Sequence, residues 1–135
     1  MRYAVFLFGE AEKGVVCKPR LMHSLLELIS TYGHPQEETL GLFYAIQVLL
    51  YERDLIYFRV REEGMSIADY MKGLKILQKG DLPPTLTAIC MPNVSDAQLL
   101  NQMGDLCCAR HWFLLMGEKD LYDYLTADYL DRKAG

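Results

Sequence analysis

No CxxC pair occurs in this chain. Its 4 cysteines, Cys17, Cys90, Cys107 and Cys108, have neither the spacing of a four-ligand zinc site nor that of a disulfide framework. Free thiols in a reducing compartment are the reading that remains. No apolar run reaches the roughly 20 residues needed to cross a bilayer. The N-terminus carries one early charge and a strand-like run with no small-residue cleavage site. No secretory leader is therefore expected, and the expected location is cytoplasmic. Basic residues are the minority, 14 against 18 acidic, for a net charge of −4. With a pI of about 5.3, the chain lacks the basic character that holds nucleic acid through its phosphates.

Phosphate motifs are missing too. Gly9 and Gly14 have the Gly-x4-Gly spacing of a P-loop, but Val15 and Val16 stand where Lys and Ser or Thr would hold phosphate and magnesium. Glu10 and Glu12 would repel a phosphate, each by about 1 kcal/mol at ~4 Å in water. No GxGxxG follows a strand-like run, so a dinucleotide fingerprint is absent. No cofactor and no metal are expected.

What the chain does have is one very apolar stretch, Glu37 to Val60. Leu40, Leu42, Phe43, Ala45, Ile46, Val48, Leu49 and Leu50 cover most directions of a helix. A helix apolar nearly all round is buried on two sides, since a surface helix needs a single apolar stripe. Glu37, Glu38 and Thr39 precede it, where carboxylates favour the positive end of the macrodipole. After Glu52-Arg53-Asp54, the run from Leu55 to Val60 has the β-branched and aromatic content of a strand covered on both faces.

Around this stretch the chain alternates. Tyr3 to Phe8 reads as a first, central strand, and Gly9 to Gly14 as a loop. Pro19 suits the first turn of a helix that keeps Leu21, Met22, Leu25, Leu28 and Ile29 on one face up to Gly33. Ser66 caps a helix bearing Ile67, Tyr70, Met71, Leu74 and Leu77, which ends near Gly80. Leu86 to Met91 is a third strand, and Ser95-Asp96 open a helix carrying Leu99, Leu100, Met103, Leu106 and Cys107. His111 to Met116 is the fourth strand, and residues 119–130 form a last helix. The pattern predicts one α/β domain over residues 1–130, with 131–135 as a frayed tail. Its architecture is a three-layer α/β/α sandwich on a mainly parallel four-stranded sheet, flavodoxin-like or Rossmann-like, with strand order 2-1-3-4. Two helices share the first crossover, so one of them lies on each side of the sheet or docks outside the usual layer.

Ligands of such sheets bind at the carboxyl ends of the strands. Those ends make Glu10, Glu62, Asn93 and Glu118 the ligand-pocket candidates. Glu63 and Asp120 extend them into an acidic rim of the kind that holds Mg²⁺, though solvated loop carboxylates are the plainer reading. Cys90 ends a buried strand and is the one candidate catalytic residue. Cys17 lies between Lys13 and Lys18, and nearby cations lower a thiol pKa. Cys107 and Cys108 read as core packing, and neither His23 nor His34 has a nucleophile at a diagnostic spacing.

An opening strand, an Arg61-Glu-Glu-Gly64 loop after the second strand and a middle strand ending in Cys90 resemble the DsrE-type sulfur-relay proteins. The resemblance covers the order of elements and one residue, and it implies a persulfide carrier at Cys90. The long apolar helix and the lack of a Gly-Ser-rich turn after Cys90 depart from that pattern.

The remaining candidate is a surface. Lys72, Lys75 and Lys79 share one stripe, and the last helix carries Asp120, Asp123, Asp128 and Asp131 with Tyr122, Tyr124 and Tyr129. A buried-on-two-sides helix and exposed aromatics point to a homo-oligomer, with Leu42, Phe43, Ile46, Tyr122 and Tyr129 as interface candidates and a further protein partner as an option. The function expected is binding with self-association, and a thiol or sulfur-relay enzyme using Cys90 is the alternative.

Overall fold

The computed structural model describes residues 2–127. The expected residues of the tail, Tyr129, Asp128 and Asp131 lie outside them. The elements run β1 (Ala4–Gly9), β2 (Pro19–Met22), α1 (Leu25–Tyr32), α2 (Gly41–Leu50), β3 (Asp54–Arg59), α3 (Ile67–Lys79), β4 (Leu86–Cys90), α4 (Ala97–Arg110), β5 (Phe113–Leu115) and α5 (Glu118–Thr126). One five-stranded sheet has the order β2-β3-β1-β4-β5. Its β3-β1-β4-β5 part is parallel throughout and has the order expected for the four strands.

The fifth strand corrects the sequence reading. Pro19 begins β2, an antiparallel edge strand in which Pro19 faces Phe58 and Met22 faces Leu55. At the start of an edge strand a missing N–H costs as little as it does in a helix's first turn, so Pro19 alone does not separate the two. The helix begins later, where the Ser24 Oγ accepts the Glu27 N–H at 3.2 Å and the Glu27 carboxylate accepts the His23 N–H at 3.1 Å. Ser24-Leu-Leu-Glu27 is a capping box in sequence, with the glutamate reaching one residue further back than usual.

Two apolar layers flank the sheet. Leu28, Tyr32, Leu42, Ala45, Val48, Leu121 and Leu125 pack from α1, α2 and α5 against one face. Tyr70, Leu74, Leu77, Leu99, Met103 and Cys107 of α3 and α4 cover the other. Both helices of the first crossover therefore lie on the same side. β1, the middle strand, is buried over its whole length, and helix α2 rests over it and β3. Phe6, Phe8 and Phe58 form a tilted aromatic cluster beneath α3, with ring centroids 5.1–5.9 Å apart. No helix among the described residues is long and apolar enough to cross a membrane.

Candidate functional site

The strand order places β1 between β3 and β4, so consecutive crossovers leave β1 in opposite directions. A crevice forms at such a reversal, at the carboxyl ends of the strands. Here the crevice holds a carboxylate of the chain itself. Glu63, 8% exposed, accepts the backbone N–H of Leu40 at 2.7 Å, of Gly41 at 2.9 Å and of Glu10 at 3.2 Å. Its second oxygen also accepts the Asn93 side-chain amide at 2.6 Å. In return the Glu63 N–H donates to the Glu10 carboxylate at 2.8 Å, and the Tyr57 hydroxyl donates to the Glu10 carbonyl at 2.7 Å. Glu63 thereby gathers the ends of β1 and β4, the loop after β3 and the start of α2.

Helix α2 begins without a side-chain cap of its own, and Leu40 is its N-cap residue. The carboxylate at its positive end comes from Glu63, not from Glu37 or Glu38, which are exposed. Backbone N–H groups and the macrodipole make a helix N-terminus a ready anion site. In this chain that site is filled from within. The close approach it needs is supplied by glycine: a Cβ on Gly41 would lie 2.7 Å from the Gly9 Cα and 2.9 Å from a Glu63 carboxylate oxygen.

Of the strand-end candidates, Glu10 and Asn93 converge on Glu63. Asn93 adopts a left-handed backbone, φ 66°, which asparagine tolerates. Glu62 and Glu118 stay exposed, and Asp120 folds back to accept the Met116 N–H at 3.1 Å. The acidic rim does not gather into one site: among the described residues no group of three or more His, Cys, Asp or Glu is arranged to hold a metal ion. Glu63, the centre of the arrangement, carried no mark in sequence beyond its place after a strand.

Cys90 is 0% exposed and lies in the core between the sheet and helices α2 and α5. Burial, then the charges of Asp120 and Glu63, push its thiol well above the ordinary value. A thiolate, the reactive form, is therefore scarce at neutral pH. Tyr44 lies close by, 3% exposed, with its hydroxyl pushed up by burial and by the neighbouring Cys90, Glu118 and Glu63. In a labelling experiment at neutral pH, Cys108, which is exposed, and the half-buried Cys17 are expected to react first. Cys90 is expected to react only at the rate of unfolding. Quantitative modification of Cys90 before any loss of structure, read by peptide mass spectrometry, would reverse this.

Cys17 also departs from expectation. Its thiol meets Asp69, not Lys13 or Lys18. Burial, followed by hydrogen bonding and charge from Asp69, pushes its pKa up, against smaller opposing effects of Lys72 and Arg61. Cys108 sits on the open side of α4, one helical step away from buried Cys107, so only the latter packs in the core. Among the surface candidates, Leu42 faces the sheet at 1% exposure, Ile46 is half-buried, and Phe43 and Tyr122 are exposed. Lys72, Lys75 and Lys79 are exposed on α3. Tyr124 is buried, its hydroxyl sharing a short hydrogen bond with Thr87.

The fold and the strand-end arrangement define a doubly wound α/β domain whose switch crevice is closed by its own glutamate. Compared with protein-family models, with characterised proteins and with solved structures, the chain matches none.

Proposed function

We propose that this domain works by binding, with a second copy of itself as its first partner, across the outer stripe of α2. The observation that carries this reading is the exposure of Phe43 at 46% and Leu50 at 61%. Spaced seven residues apart, they lie on one side of the helix, with half-buried Ile46 and Gln47 between them. No charged residue occurs between Thr39 and Tyr51. On a chain of net charge −4, a charge-free stripe is where two identical surfaces meet with least repulsion. A two-fold pairing buries the same apolar residues on both copies at once. Tyr122 on α5 and Leu26 on α1, both exposed on the same helical layer, extend the apolar character beside α2. The excess of acidic over basic residues supports a protein partner over nucleic acid.

The sulfur-relay alternative would need Cys90 to reach solvent, and its complete burial weighs against it. Sedimentation velocity tests the main reading. The expected species has twice the 15.5 kDa chain mass, and Phe43→Glu or Leu50→Glu returns it to a folded monomer. A species of single-chain mass at every concentration would sink the proposal. So would a dimer indifferent to both substitutions.

A further inference from the structure

On the opposite edge of the molecule from β5, a cleft of about 290 Å³ opens between β2 and α1, lined by Val15, Lys18, Pro19, Arg20, Leu21, Thr31 and Tyr32. We propose that it binds a small organic carboxylate with an apolar body, held by Lys18, Arg20 and the Tyr32 hydroxyl.

Its chemistry is two-sided. Val15 and Leu21 are exposed apolar residues, 64% and 45% open, and with Pro19 they offer an uncharged wall. Lys18 and Arg20 stand on either side of Pro19 and form no ion pair within the described residues. Tyr32 is 1% exposed, and its hydroxyl makes no hydrogen bond within the described residues. The hydroxyl is therefore free to donate, and a ligand oxygen in the cleft that it helps to line could accept it.

The hydroxyl is also held in place. The Tyr32 ring packs against Tyr57, with centroids 4.8 Å apart. Gly14 closes over its other side, so near that a Cβ there would lie 2.7 Å from the ring. Arg59 braces this loop by donating to the Gly14 carbonyl, and its Nε is buried with no partner. Burial pushes the Tyr32 hydroxyl above its ordinary value while Arg20 and Arg59 pull it back, and of these two guanidinium groups Arg20 lines the cleft itself. The volume lies at the lower end for ligand sites, roughly 300–1,000 Å³. That suits a carboxylate of modest size better than a nucleotide.

The test uses benzoate as probe, benzamide as its neutral counterpart and inorganic phosphate as an anion without an apolar body, followed by amide NMR shifts of the intact chain. Benzoate should give saturable shifts confined to residues 14–22 and 31–33, weakening with added salt. Benzamide and phosphate should bind at least about tenfold more weakly. Arg20→Ala should weaken benzoate about 10-fold or more, the range for a hydrogen bond to a charged group. Tyr32→Phe should weaken it by a smaller factor without moving the spectrum elsewhere. No saturable shift with benzoate would overturn the proposal. Equal binding of benzamide, or an Arg20→Ala chain that binds benzoate unchanged, would overturn it too.

Discussion

Replacing Glu63 by alanine is expected to destabilise the fold by about 3 kcal/mol, measured by urea denaturation. The substitution removes the acceptor of three backbone N–H groups, on Leu40, Gly41 and Glu10, and of the Asn93 amide. Each donor left unmatched in a buried place forfeits about 1–3 kcal/mol, and water entering the crevice offsets part of the sum. Glu63→Gln should lose less, because one of its two acceptor oxygens survives while the new NH₂ group faces a donor. The order of stability, wild type above Gln above Ala, is the discriminating result. Equal stability of all three would mean that the crevice is wet and that Glu63 holds nothing together.

The second large effect is expected at Gly41, and its sign is the test. Gly41 is the first residue of α2, and helix propensity alone predicts that alanine there stabilises. The packing predicts the reverse. The added Cβ would fall 2.5 Å from the Tyr57 hydroxyl and 2.7 Å from the Gly9 Cα, and the latter is backbone of a buried central strand that has no room to retreat. A loss near the upper end of the ~1–3 kcal/mol typical of overpacking is expected. Gly104, inside α4, has nothing within 4 Å of such a Cβ. Gly104→Ala should therefore gain up to about 1 kcal/mol from propensity. A stabilised Gly41→Ala chain would show that Gly9 and Gly41 are not in close approach.

How much of this was written in the sequence depends on the reach of each interaction. The four parallel strands and their order were legible, because each is a continuous apolar run and the amphipathic segments between them fix the crossovers. β2 was not, since Leu21, Met22 and Leu25 also fit a helical spacing and Pro19 is at home in either element. The Ser24 and Glu27 pair was the available signal that the helix starts later. Cys90 is legible as a strand end, yet alternation along a strand decides which way its side chain faces, and here it faces the core. The Glu63 arrangement joins residues 22 to 53 positions apart. No local spacing encodes it, and only the stacking of α2 over the ends of β1 and β3 brings its parts together. The same limit hid the Asp69 neighbour of Cys17, which outweighs the flanking lysines that the sequence shows.

The outermost strands have a consequence for how the native protein behaves when crowded. Free backbone groups along a sheet margin are what let one folded molecule template the next into fibrils. On one side that margin is β2, four residues long, opened by Pro19, which has no N–H to offer, and carrying Arg20. On the other, among the described residues, it is β5, only three residues long. Neither offers enough ladder to recruit a second strand, so clumping in concentrated samples is expected to track unfolding of the domain and not the concentration of its native form.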